Sequence, residues 1–457
     1  MVGINKILRL AYQTAVAYTR GSVAAPFDIL VIGSGATGCC VALDAATRGL
    51  RVGLVERDNY SAGTSSRSTK LVHEACVRYL EKAFWQFDYG QLKLVFHALE
   101  EHAHILPNAP QLCNALPTMT PCYEWWEFLY YQAGLKLYDL MNDSQLNVAI
   151  ACTAALVEAV VLNHAEAISL KKDEVTGNVT GIVVTPDLVH TQLSDAVQHV
   201  LMRKRGIVLP DYYSSDVMSA WSGIRPLATN PNVKGTDTAP ISRDHVVCLD
   251  LDGLVTVTGG KWTTYRSMAE DAINVAIKSG SLQPTNGCIT RILFALPLIG
   301  ANGWNPSSFT SLAQNYVHMK RAYGGKIVPG PMDTAAAKHL VQTYGGLAPH
   351  VALIAQMEGL GKRLAHGYPY LETEVAYCAR NEYCESAVDF IARRARFAFL
   401  DTDAANRASP CVIEILAAEH RWDKAQRKAE MADVKAFLET FKSCKNAQFD
   451  DGKHRAR

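Results

Sequence analysis

Residues 27–32 (FDILVI) form a short apolar run that stops at Gly33, and the next two dozen residues leave the architecture few choices. Helix formers fill 36–48, Gly49 stands where a helix C-terminal cap belongs, and 51–56 (RVGLVE) is a second apolar run closed by an acid. The pattern predicts a β-α-β unit whose tight turn is Gly33-Ser34-Gly35-Ala36-Thr37-Gly38. Its first glycine allows the turn, the second lets backbone approach a pyrophosphate, and the third lets the helix pack on the strand. The helix N-terminus then faces the phosphates, and Glu56 is placed to accept bonds from ribose hydroxyls. The chain is therefore expected to contain a dinucleotide-binding α/β domain.

Two later segments favour FAD over NAD. Gly63-Thr64-Ser65-Ser66-Arg67-Ser68 brings small hydroxyls and a cation soon after the acid, suited to lining a pyrophosphate and ribityl chain. Much farther on, 253–258 (GLVTVT) reads as a strand running into Gly259-Gly260-Lys261 and then a helix through Ala276. This second glycine turn offers another helix N-terminus, and a cofactor touching both turns must be long.

Composition excludes other classes. Forty-five basic against 44 acidic side chains give a net charge of +1, so no global field draws the 457-residue chain to nucleic acid. No apolar run approaches the roughly 18 residues of a spanning helix. The 12 cysteines form no CxxC pair and no zinc-type block, and are expected as free thiols; no metal site is expected. Residues 1–25 lack acids and carry Lys6, Arg9 and Arg20 with Ile4, Ile7, Leu8 and Ala11 at helical spacing, the pattern of a mitochondrial presequence.

The wording of several segments resembles the FAD-dependent glycerol-3-phosphate dehydrogenases, the mitochondrial type in particular. The matching stretches are IGSGATG (32–38), GTSSRSTKLVH (63–73), VRYLEKA (77–83), SAWSGIRPL (219–227), ISRDHVV (241–247), TGGKWTTYRSMAEDA (258–272), GYPYLETEV (367–375) and WDKAQRKAE (422–430). The resemblance implies an α/β fold: a Rossmann-like FAD-binding domain, an interleaved antiparallel substrate sheet, here truncated, and a C-terminal all-α domain. The expected division is 26–290 for the FAD and substrate region and 291–457 for the helical region.

The resemblance also implies oxidation of sn-glycerol 3-phosphate to dihydroxyacetone phosphate, by hydride transfer from C2 to the flavin while a base takes the hydroxyl proton. Electrons pass to a quinone, and the protein sits peripherally on the inner mitochondrial membrane. A phosphate ester calls for cationic partners, and the matching motifs assign Arg78, Tyr79, Arg225, Arg243 and Lys261 to substrate binding. Arg225, Lys261 and His73 are the implied catalytic residues, with His245 a further possible base. The cofactor set is Gly33, Gly35, Gly38, Glu56, Thr64, Ser65, Ser66, Gly259, Gly260 and Thr263.

The chain departs from the family pattern in places. His73-Glu74-Ala75-Cys76 replaces a His-Gly-Gly step, and Gly206 stands where the family places a candidate catalytic histidine. Segments are missing around Asp139–Met141, after Thr180–Val184 and at Ser215–Asp216. These losses motivate an alternative reading, a catalytically dead flavin-binding remnant of the same family. An amine- or amino-acid-oxidising flavoenzyme is a third reading, disfavoured by the arginine set. From Ile292 onward, helical spacing predicts helices over 333–344, 370–399 and, as two helices, 410–441.

Overall fold

The computed structural model of the chain describes residues 27–67, 100–101, 107–114, 140–141, 143–172, 179–185, 218–223, 228–229, 241–242, 245–251, 253–288, 296–316, 320–323, 326–329 and 332–441. The 1–25 leader, His73, Arg78, Tyr79, Gly206, Arg225 and Arg243 lie outside the described residues.

The expected β-α-β unit is present. Strand β1 (Ile29–Ile32) leads through the glycine turn into helix α1 (Ala36–Thr47), and Gly49 at φ +83° turns the chain into β2 (Val52–Val55). Helix α2 (Asp143–Leu156) then feeds β3 (Val160–Leu162), and the three strands form a parallel sheet in the order β1-β2-β3. β2, in the middle, is buried along its whole length, as an apolar strand of a covered parallel sheet should be. Antiparallel pairs also occur among the described residues, including a short hairpin of Lys320–Tyr323 with Lys326–Pro329. β4 (Glu166–Lys172) pairs with β5 (Val179–Thr185), and β6 (His245–Leu251) pairs with β7 (Leu254–Gly259), setting His245 opposite Gly259.

Past β7 a 3₁₀ turn (Trp262–Thr264) opens helix α3 (Tyr265–Gly280), one turn longer than its spacing predicts. Its buried residues Tyr265, Ala269, Ala272 and Ile273 join Cys39, Cys40 and Leu43 of α1, and Leu146 and Ile150 of α2, in one apolar core. A second core is built by α4 (Thr334–Tyr344), α5 (Ala348–Glu358), α6 (Glu372–Asn381), α7 (Thr402–His420) and α8 (Lys424–Glu439). Asp333, Asp401 and Asp423 each cap a helix, accepting the N–H of Ala336, Ala404 and Gln426.

Two helical expectations need correction. The 370–399 stretch is not one helix: α6 ends at Asn381, Tyr383 and Arg396 adopt φ values of +53° and +52°, and a π-helical turn (Asp389–Arg394) lies between them. The Asp389 carboxylate accepts the N–H groups of Glu385 and Ser386, which closes this separate turn. Pro410 does not begin a helix but lies inside α7. The Asp401 cap starts that helix earlier, and burial of Ala404, Ala405, Ala408, Val412 and Leu416 outweighs the hydrogen bond that proline removes. The nine cysteines among the described residues are all free thiols.

Candidate functional site

At the first glycine turn, Gly33 has φ +95°, and a Cβ on Gly38 would stand 1.9 Å from the Gly33 carbonyl oxygen. Only glycine lets the helix approach the strand this closely. A Cβ at Gly33 would meet nothing within 4 Å, and the adjoining Ile32 is 51% exposed, so the turn opens outward. Helix α1 begins after extended Gly35 with no acid in its own first turn.

The hydroxyl segment folds onto this end. Thr64–Arg67 is a single helical turn, and Ser65 Oγ accepts the Ala36 N–H at 3.0 Å. Ser66 is buried and donates to the Gly63 carbonyl. Glu56 turns back to brace the glycines: Oε2 accepts from the N–H of Ser34 at 2.6 Å and from its hydroxyl at 3.0 Å, while Oε1 accepts the Asp58 N–H at 3.1 Å. A carboxylate has about four acceptor sites, so one is left for a ribose hydroxyl.

The second turn carries two consecutive left-handed glycines, Gly259 at φ +79° and Gly260 at +74°. Lys261 and Thr264 then close the 3₁₀ turn on each other: the Thr264 hydroxyl donates to the Lys261 carbonyl at 3.1 Å. Thr263 lies within this turn and Lys261 at its start. His245, across the hairpin from Gly259, has Nε2 2.8 Å from Asp271 Oδ2 on α3.

One side chain joins the two turns. A Cβ on Gly260 would fall 2.7 Å from the sulfur of Met268, and the Thr37 hydroxyl at the start of α1 donates to the same sulfur at 3.8 Å. The structure therefore brings together Gly33, Gly35, Gly38, Glu56 and Thr64–Ser66 with Gly259 and Gly260. The turns, the start of α1 and the hydroxyl segment fit a long dinucleotide such as FAD, which would span from the Glu56 side to the Gly260 side.

Met268, Ser34 and Thr37 have no motif-level signal of a site role. Met268 shares a helix face with Tyr265 and Ala272 and reads as ordinary core; Thr37 and Ser34 occupy variable places within the glycine turn.

Comparison with known proteins agrees with this geometry. Residues 28–124 match the model of the FAD dependent oxidoreductase family, and residues 288–427 match the C-terminal domain of alpha-glycerophosphate oxidase. The chain is 50% identical to the mitochondrial glycerol-3-phosphate dehydrogenase SDP6 of Arabidopsis thaliana, over 94% of this chain and 88% of that protein. It is 34% identical to the mitochondrial glycerol-3-phosphate dehydrogenase of Homo sapiens, over 90% of this chain and 73% of that one. The Arabidopsis alignment runs over 562 positions, more than the 457 residues of this chain, so the relative carries internal stretches that this chain lacks. The fold is that of a glycerol-3-phosphate dehydrogenase from Bacillus halodurans complexed with FAD, with a TM-score of 0.64 at 20% identity, covering 94% of this chain and 98% of that one. With half of all aligned positions identical to one relative over nearly the whole chain, and family models matched at 28–124 and 288–427, the chain belongs to the FAD-dependent glycerol-3-phosphate dehydrogenase family.

Proposed function

We propose that this chain oxidises sn-glycerol 3-phosphate to dihydroxyacetone phosphate and passes the electrons to a quinone. The observation that supports the reading is the meeting of the two glycine turns at Met268, which sets Gly260 and the start of α1 against one side chain. Bound FAD supplies the two-electron acceptor for the hydride leaving substrate C2.

The chain's own residues bind and orient. Gly33, Gly35 and Gly38 admit the pyrophosphate, with Thr64, Ser65 and Ser66 as hydroxyl partners and Glu56 on the ribose. Gly259, Gly260 and Thr263 receive the flavin end. Arg78, Tyr79, Arg225, Arg243 and Lys261 hold the phosphate ester through charge-assisted bonds. Arg225 and Lys261 also steady the developing carbonyl oxygen, and His73 takes the C2 hydroxyl proton.

Residues 26–290 form the cofactor and substrate region and 291–457 a covering helical domain. The relatives' mitochondrial names and the acid-free basic leader at 1–25 support import into mitochondria. No helix among the described residues is long and apolar enough to cross a membrane, which accords with peripheral attachment to the inner membrane.

The test is direct. Purified protein is assayed for flavin absorbance and then mixed with glycerol 3-phosphate and a dye acceptor. Dye bleaching is expected. Bound flavin without bleaching would favour the catalytically dead remnant that Gly206 suggests, and absence of flavin would overturn both readings.

A further inference from the structure

The loop after β2 is clamped from two sides. On one side lies the glycine turn: the Ser61 N–H donates to the Ser34 carbonyl, and Glu56 binds Ser34 twice. On the other lies the C-terminal helical layer. Asn59, buried in this loop, donates to the Tyr383 carbonyl at 3.2 Å and accepts from the Arg394 guanidinium. Arg394 also donates to the Glu382 carbonyl, and Asn163 donates to the Tyr383 carbonyl at 3.0 Å.

A second arm runs through His164. This residue stands at the turn between β3 and β4 with φ +52°, and its N–H donates to the Asp58 carbonyl at 2.7 Å. The next N–H, of Ala165, donates to the Glu56 carbonyl at 2.6 Å. The His164 ring Nε2 is 3.1 Å from the buried carboxylate of Asp389 in the π turn. Asn59 Nδ2 lies 3.5 Å from the same ring nitrogen.

The Glu56–Ser61 loop is thus bound, directly or through one neighbour, both to the nucleotide turn and to residues 382–394. We propose that Asp389 and Arg394 are positioning residues for FAD: acting through His164 and Asn59, they hold the Glu56 loop and the glycine turn in the binding geometry. The inference rests on the reading of Glu56 as the ribose acceptor. The groups facing His164 are Asp389, Glu385 and Arg394 from the helical layer and the Asp58 carbonyl from the loop. Protonated His164 donates to Asp389; once neutral, it retains a hydrogen bond only in the tautomer with hydrogen on Nε2 and loses the ionic attraction.

The experiment compares FAD dissociation constants of the full chain, its Asp389→Asn and Asp389→Glu variants, and His164→Gln, at about pH 6 and about pH 8.5. The wild-type protein is expected to bind FAD more weakly at the higher pH. Asp389→Asn should weaken binding about tenfold at the lower pH and lose the pH dependence, while Asp389→Glu restores part of both. Amide hydrogen exchange on the FAD-free forms should show faster exchange at 56–61 in Asp389→Asn and unchanged exchange in α1. KM for glycerol 3-phosphate in the FAD-saturated enzyme should stay the same.

Unchanged FAD affinity and unchanged loop exchange in Asp389→Asn would overturn the proposal. If that variant does not fold, His164→Gln takes its place, and the same two unchanged quantities there overturn it equally. Wild-type protein that binds FAD but oxidises nothing would refute the proposed activity and leave this inference standing; wild-type protein that binds no FAD refutes both.

Discussion

The Thr37 hydroxyl lies 3.8 Å from the sulfur of Met268, across 231 positions of sequence. That contact ties the N-terminus of α1 to the first turn of α3, and the same sulfur lies beside Gly260, so the two glycine turns meet at one side chain. Methionine suits the place: its unbranched, polarisable side chain fills the space between a glycine backbone and a hydroxyl without requiring exact shape.

Gly260→Ala should damage the groove at its flavin end. The new Cβ would meet Met268 Sδ at 2.7 Å and the Cβ of His245 at 3.0 Å, at a backbone φ of +74°. The sulfur can swing aside, but the backbone conformation alone costs an alanine about 1–2 kcal/mol. The expected outcome is a lower flavin-to-protein absorbance ratio and a lower melting temperature. Gly63→Ala, where a Cβ would meet nothing within 4 Å, should change neither.

Helix α3 is held in place by a buried ion pair. Arg266 donates from Nε and Nη2 to Glu101 at 2.8 and 2.5 Å, and from Nη1 to Glu270 at 2.9 Å. Glu101→Ala leaves a buried guanidinium with, among the described residues, its Glu270 partner alone, and should cost about 3 kcal/mol in urea unfolding. The double variant Arg266→Met with Glu101→Leu removes both charges and should recover most of that loss.

Glu430 on α8 makes stability depend on pH. Burial pushes its carboxyl above the ordinary 4.5, against the bond it accepts from the Ala387 N–H at 2.9 Å. The folded state therefore holds its proton more tightly than the unfolded chain does. Its contribution to stability is fully present below 4.5 and declines as pH rises through the raised folded value. Glu430→Gln keeps an acceptor for Ala387 and should flatten this fall in melting temperature. Glu430→Ala, which leaves Ala387 without its partner, should lower the melting temperature at every pH.

Arg225→Ala tests the proposed phosphate site. Loss of a charge-assisted contact of about 1.5–3 kcal/mol corresponds to a rise in KM for glycerol 3-phosphate of about tenfold to a hundredfold. Flavin content should be unchanged. An unaltered KM would remove Arg225 from the substrate site.

The first β-α-β unit and its glycine turn were largely legible in the linear order of residues. Gly33, Gly35 and Gly38 stand in a spacing that few other backbone paths require, and Glu56 follows at the end of the next strand. These are local matters of φ, ψ and helix polarity, and the β1-α1-β2 unit follows them closely. The helical half was less readable. The apolar spacing of 370–399 is the same for one continuous helix as for a helix, a π turn and a further short turn, because it records burial without recording where the chain reverses.

Stereochemistry within a few residues was therefore enough to decide that this chain would build a β-α-β unit around a glycine turn and bury an apolar strand. Packing between distant segments decided the rest: that Met268 would sit against Thr37, that Ser65 would reach the start of α1, and that Asp389 would meet His164 across 225 positions. Such contacts arise only once loop-closure entropy has been overcome by the burial of two shared cores, and no spacing along the chain carries that balance.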